Sequence, residues 1–242
     1  FQAVEPRQEF VELLWRAHHP LERILAEEHS RCACSWDDAD IVILEVGGTV
    51  GDIESQPFLE ALRQLRNEVG RENCLFVHVT WLPTIGATGE IKTKPTQHSV
   101  AALRSIGISP NIIIARADQH VDKSLCEKIA LFCDVEKDSV IPMATADVLY
   151  EVPLLLEKMG VGELVLRKLG LTAKRQPNMG PWRKLVEDVR RPKPSVQVAL
   201  VGKYVELQDA YMSVREALKH AALANEVEVE ISWVHSADLE KD

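Results

Sequence analysis

A chain of 242 residues, 46% apolar and 27% charged, holds enough hydrophobic material for one large domain or one and a part. Its formal net charge of −9 argues against a general nucleic-acid binder, and no apolar run has the length of a membrane span or the pattern of a signal peptide. Five cysteines, an odd number without framework spacing, suit reduced thiols in a cytoplasmic enzyme rather than a disulfide scaffold. The first residue is Phe1 rather than Met, as expected of a fragment or a processed piece.

In chain order, residues Phe1 to Trp36 read as helical and charged, with Val11, Leu14 and Trp15 and then Leu21, Ile24 and Leu25 after Pro20. The same segment holds His18, His19, His29, Cys32 and Cys34; a zinc site is conceivable, but the paired zinc-finger spacing is missing. From Asp38 strands and helices alternate, which predicts an α/β fold with a mostly parallel sheet and flanking helices. Ile41–Glu45 opens it as a short unbroken apolar run, the pattern of a strand buried on both faces. A helix from about Pro57 to Gly70 sets Phe58, Leu59, Leu62, Leu65 and Val69 on one face. Cys74–Thr80 is the next strand, with His78 read as a core histidine, and a long connection runs from Trp81 to Thr93. The helix after Pro95 carries Val100, Leu103 and Ile106, and His98 is read as bracing its start. Asn111–Ala115 is a strand ending at Arg116, Asp118 and His120, and Ser124 can cap a helix holding Leu125, Lys128, Ile129 and Phe132. Ser139–Ile141 is a short strand, and 147–160 and 162–169 are helical. A basic, proline-bearing stretch then reads as a linker, before a buried strand at Val196–Leu200, a helix over 210–225 and a strand over 227–234. Cys74, Cys126 and Cys133 read as packing thiols.

Two loops carry chemistry. In Glu45-Val46-Gly47-Gly48-Thr49-Val50-Gly51-Asp52-Ile53-Glu54, three glycines let a ligand approach the backbone. Such a loop would sit outside the carboxyl end of a parallel strand, where ligands of open sheets gather. Its carboxylates would repel a triphosphate unless a cation such as magnesium lay between. A tight turn with solvated acids is the alternative. In Lys92-Thr93-Lys94-Pro95-Thr96-Gln97-His98, lysines offer charge to phosphate while Thr and Gln offer hydrogen bonds. A solvated surface is the alternative there.

These two loops, together with Val201-Gly202-Lys203-Tyr204-Val205-Glu206-Leu207 and Asp209-Ala210-Tyr211, closely resemble CTP synthase, from about Asp38 to the end. The resemblance implies a partial synthetase (amidoligase) domain of P-loop NTPase-like fold at 38–172 and a linker at 173–194. It also implies the first strand–helix–strand of a second α/β, glutaminase-like domain at 195–242, and leaves 1–37 unmatched. The implied activity is ATP-dependent amination of UTP to CTP with glutamine-derived ammonia, in pyrimidine biosynthesis. The alternative is a non-catalytic nucleotide-binding or assembly module derived from that enzyme. By resemblance Glu45 is a magnesium ligand, and Asp52, Ile53, Glu54, Lys92, Thr93, Lys94, Pro95, Thr96, Gln97, Lys128 and Phe132 bind UTP and inhibitory CTP. Phe132 reads equally as a wall of that pocket or as a plain core residue. Ala144, Thr145 and Ala146 match a loop touching adenine of ATP, and Arg116 is a further candidate for that base. The family's glycine-rich phosphate loop and its glutaminase nucleophile with His–Glu partners are not among these residues, so no catalytic residue is assigned. The family forms homotetramers with the nucleotide sites at subunit interfaces. Glutamine is expected as a partner only of a full-length parent, with no nucleic acid and no membrane.

Overall fold

A five-stranded sheet organises the larger of two compact units in the computed structural model, which describes residues 10–16 and 40–239. Its strands are β1 Phe10–Arg16, β2 Ile41–Val46, β3 Cys74–Trp81, β6 Ile112–Ala117 and β7 Val140–Ala144, in the order β2-β1-β3-β6-β7. A hairpin of β4 Thr84–Ile85 and β5 Glu90–Ile91 stands apart from it. β3, β6 and β7 pair in parallel, while β1 pairs antiparallel with both β2 and β3. All strands of the sheet but β1 therefore point the same way, and the loops after them emerge at one carboxyl edge.

Two sequence readings change here. The expected helix of residues 1–36 is a strand at 10–16, because this backbone pairs on both sides, and pairing overrides a short apolar spacing that fits either element. The cysteines and histidines considered for zinc lie outside the described residues. The strand at Ile41 is not buried on both faces either: β2 is an edge strand, and Ile43 is 63% exposed.

Three helices cover one face of the sheet: α1 Gln56–Val69, α2 Lys94–Ser105 and α3 Lys123–Cys133. Leu59, Leu62 and Val69 of α1 meet Val42, Val46, Phe76 and Leu103 in one cluster, and Val100, Ile113, Ala115 and Ile129 belong to the next. Phe58 does not join its expected face and is 63% exposed, whereas Ile108, beyond α2, is fully buried where Ile106 was expected. α3 starts two residues earlier than read, with Asp122 rather than Ser124 at the capping position. After α4 Val152–Lys158, α5 Val161–Lys168 covers the opposite face, where Leu164 packs with Leu75, Val77, Ile112 and Ile141.

The smaller unit comprises 148–154 and residues from 177 onward. Within the stretch read as a linker lies α6 Gly180–Arg190, whose Trp182 indole donates to the Tyr150 carbonyl and whose Arg190 pairs with Glu151 at 2.6 Å. β8 Ser195–Gly202, α7 Met212–Ala224 and β9 Glu228–His235 form a strand–helix–strand with the two strands parallel. β8 was expected to be buried, yet Val196 and Val201 are 46% and 49% exposed. Gly202 is there for close approach: an added Cβ would lie 2.2 Å from the Tyr211 hydroxyl.

The three thiols among the described residues are free and buried. Burial pushes Cys74 up to about 12 and Cys133 up to about 11, and raises Cys126. At pH 8 iodoacetamide should leave all three unlabelled in the native protein and label them in urea, read by peptide mass spectrometry. Labelling of native Cys74 at the unfolded rate would contradict this packing. An unfolded thiol ionises near ~8.5, so the stability these groups contribute is intact below that pH and is lost as pH rises toward 11 and 12.

Candidate nucleotide site

At the carboxyl edge the glycine loop turns sharply after β2. Gly48 and Gly51 have φ of +97° and +108°, values open to glycine and strained for other residues. The Thr49 amide donates to Asp52 Oδ2 at 3.1 Å, and the Ser55 hydroxyl donates to the Asp52 carbonyl at 2.9 Å. Asp52 thus closes its own loop, while Glu54 and Ile53 stand exposed, Ile53 at 83%.

The lysine loop leads into α2, whose first turn presents backbone N–H groups at the same edge. Thr93 and Thr96 are 3% and 0% exposed, so their side chains brace the helix. The Thr96 hydroxyl donates to the Thr80 hydroxyl at 3.0 Å, and Gln97 Nε2 donates to Thr93 Oγ1 at 3.2 Å. One turn on, Ser99 shares a 2.8 Å hydrogen bond with His78, which is wholly buried and is a satisfied core histidine as read. His98 is exposed. Lys92, half-buried, pairs with Glu90 at 2.7 Å, and Lys94 reaches across to α3, its Nζ 5.9 Å from the Phe132 ring centroid. Phe132 is 56% exposed and so is not a plain core residue; Lys128, also exposed, precedes it by one helical turn. Lys94 thus brings the start of α2 beside the exposed Phe132 of α3, with Lys92 two residues before the one and Lys128 four residues before the other.

Thr96→Val should cost about 1–3 kcal/mol in denaturant unfolding, because it leaves the buried Thr80 hydroxyl without its donor. Adding Thr80→Val should recover much of that loss. A double variant as unstable as the sum of the singles would contradict the pairing.

Arg116, next to last in β6, is in register with Trp81 of β3, and its guanidinium lies 5.9 Å from the Trp81 ring centroid. Thr145 follows β7, its amide and hydroxyl both donating to the Ala117 carbonyl, at 2.8 and 3.2 Å. Its neighbours are Ala144, exposed, and Ala146, half-buried. Arg116 and the 144–146 turn thus flank each other at the ends of adjacent strands.

Glu45 sits apart from both groups. It was read as ending a central strand, but β2 is an edge strand, and side-chain alternation directs Glu45 to the α5 face, away from α2 and α3. Through β1 it is level with Val77, four residues short of Trp81, or about 13 Å along the strands. Its carboxylate is exposed and makes no ion pair among the described residues. One exposed carboxylate together with phosphate oxygens is a usual magnesium set, so Glu45 is chemically suited to that ion while standing apart from the lysines of α2 and the 144–146 turn. Among the described residues no cluster of three or more His, Cys, Asp or Glu could hold a metal unaided.

The sequence reading missed Thr80 and Ser99, which anchor α2 to the sheet, and Gln119 after β6, whose amide donates to the Gly89 carbonyl at 2.9 Å. Nothing in the local pattern marks a glutamine in a loop for such a role. No helix among the described residues is long and apolar enough to cross a membrane.

Residues 19–171 match the family model described as CTP synthase N-terminus. A CTP synthase of Dehalococcoides mccartyi is 58% identical over 204 residues, covering 84% of this chain and 37% of that protein. One of Carboxydothermus hydrogenoformans is 55% identical over 203 residues, 84% of this chain and 38% of its own length. One of Symbiobacterium thermophilum is 54% identical over 215 residues, 88% and 40%. The chain therefore spans less than half the length of the curated relatives it matches. With a sheet in which every strand but β1 points the same way, helices on both faces and a match over 19–171, the chain belongs to the CTP synthase N-terminus family.

Proposed function

We propose that the protein carrying this chain is a CTP synthase, a ligase that aminates UTP to CTP at the expense of ATP, with ammonia drawn from glutamine. The observation that carries this reading is the approach of Lys94, at the start of α2, to the exposed Phe132 ring of α3, with Lys92 and Gln97 close in sequence to the one and Lys128 to the other. Lysine charges and the amides of a helix N-terminus suit a triphosphate, and an exposed aromatic ring suits a base. UTP and inhibitory CTP share that triphosphate, so one site serves both. Asp52, Ile53 and Glu54 of the glycine loop complete this pocket in our reading, with Thr93 and Thr96 supporting it from within. Arg116, Ala144, Thr145 and Ala146 would receive the adenine of ATP at the neighbouring strand ends.

Glu45 would hold magnesium through nucleotide phosphates. That ion, when bound, neutralises charge as the 4-oxygen of UTP is phosphorylated and made a leaving group for ammonia. What this chain's own residues do is bind and orient: the lysines fix the phosphates, and Phe132 walls the pyrimidine. Residues 38–172 then serve as part of the synthetase domain, 173–194 as a connector, and 195–242 as the opening of a glutaminase domain. Ile53 and Phe58 by the glycine loop, at 83% and 63% exposure, and Leu131 next to Phe132, at 78%, favour further copies of the chain as partners, in a homotetramer. The net charge of −9 speaks against nucleic acid, and buried reduced thiols favour the cytoplasm.

The test supplies the purified protein with UTP, ATP, magnesium and either ammonium or glutamine and follows CTP by chromatography, with CTP binding measured by calorimetry. CTP formation that added CTP suppresses is the expected result. A protein that binds neither UTP nor CTP would overturn the reading.

A further inference from the structure

The β4–β5 hairpin stands directly before Lys92, and the side chain of Gln119 reaches it from the loop after β6. Its turn closes on itself, the Thr88 and Gly89 amides donating to the Ile85 carbonyl at 3.2 and 2.8 Å. Its base is tied twice: the Lys92 amide donates to the Pro83 carbonyl at 2.9 Å, and the Leu82 amide donates to the Arg116 carbonyl at 2.7 Å. The third tie comes from the loop after β6. Gln119 Nε2 donates to the Gly89 carbonyl at 2.9 Å and lies 3.4 Å from the Thr84 hydroxyl, so one amide grips both arms of the hairpin. The residue after Gly89 is Glu90, whose carboxylate holds the Lys92 ammonium at 2.7 Å.

We propose that Gln119 is a positioning residue for nucleotide phosphate, acting through the hairpin and Glu90 on Lys92. The inference rests on the reading of Lys92 as a phosphate contact. With the hairpin clamped, Glu90 keeps Lys92 extended along β5 at the mouth of α2, and an arriving phosphate takes over an ammonium already in place. Without the clamp the hairpin keeps its ladder and base ties but loses the hold on its tip, so Gly89 and Glu90 move more and the lysine side chain is ordered on binding at a larger entropic cost. Gln119 itself touches no ligand in this arrangement.

The experiment is a double-mutant cycle on CTP affinity by titration calorimetry, using wild type, Gln119→Ala, Lys92→Ala and the double variant. Gln119→Glu serves as an isosteric second variant that removes the N–H donors. Gln119→Ala should weaken CTP by about three- to tenfold, the range of one hydrogen bond, and should add nothing once Lys92 is alanine. Amide exchange of residues 84–92 should quicken in Gln119→Ala and Gln119→Glu alike. A loss of equal size in both backgrounds, or wild-type affinity in Gln119→Ala and Gln119→Glu, would overturn the proposal. Should Lys92→Ala itself bind CTP as wild type does, the nucleotide site fails; should Lys92→Ala weaken binding while Gln119→Ala does not, only the clamp fails.

Discussion

Lys92→Ala and Lys94→Ala should each weaken UTP and CTP together, by roughly tenfold or more, since the two nucleotides carry the same phosphates. A charge-assisted contact to phosphate in a partly shielded site contributes about 1.5–3 kcal/mol, and about 1.4 kcal/mol is a factor of ten. Lys92 is half-buried beside Glu90, and Lys94 is exposed near the Phe132 ring, so both ammonium groups are open to an arriving phosphate. Solvated surface lysines would shift stability by no more than about 0.5 kcal/mol and leave binding alone. Calorimetric titration of each nucleotide into each variant decides between the two. Because the contact is ionic, the loss should also shrink as salt is raised. Equal affinities in wild type and Lys92→Ala would exclude the loop as a triphosphate clamp. A loss confined to UTP, with CTP unchanged, would point to base recognition rather than phosphate.

Leu103→Ala should open the larger unit by about 2–5 kcal/mol, the cost of an unfilled hole in a packed core. Leu103 is wholly buried on α2 and sits in the cluster that joins α1 to the sheet, with Leu59, Leu62, Phe76 and Ile108 around it. Native-state amide exchange of β3, Cys74–Trp81, reports this unit without interference from the smaller one. Exchange there should quicken at least about thirtyfold, the factor that corresponds to roughly 2 kcal/mol. Leu131→Ala is the control: Leu131 is 78% exposed on α3 and should leave β3 exchange as it was. Unchanged protection in Leu103→Ala would mean that α2 is not seated on the sheet as described, and the lysine loop would lose its foundation.

What the sequence determined by itself follows from local chemistry. The apolar runs at Ile112 and Cys74 have few ways to hide except as central strands, and alternation with helices made those strands parallel. Glycines at 48 and 51 announced a turn that needs positive φ, and Pro95 announced the first turn of α2. His78 inside an apolar strand was legible as a core group, and Ser99 is the partner that makes it so.

Tertiary structure decided the rest, and for one recurring reason: each outcome depends on a neighbour distant in the chain. An apolar run such as Ile41–Leu44 reads alike in a central and in an edge strand, and only pairing order shows that Glu45 ends an edge. Phe58 and Leu59 fit helical faces about equally well, until Phe76 and Leu103 take up one of them. The stretch at Phe10 had spacing for a helix, yet it became a strand once backbones on both sides could pair with it. Thr96 looked like a ligand group and turned inward, because Thr80, sixteen residues earlier, offers its hydroxyl from β3. Gln119 had no pattern at all; it acquires a role only because the end of β6 lies beside a hairpin thirty residues upstream.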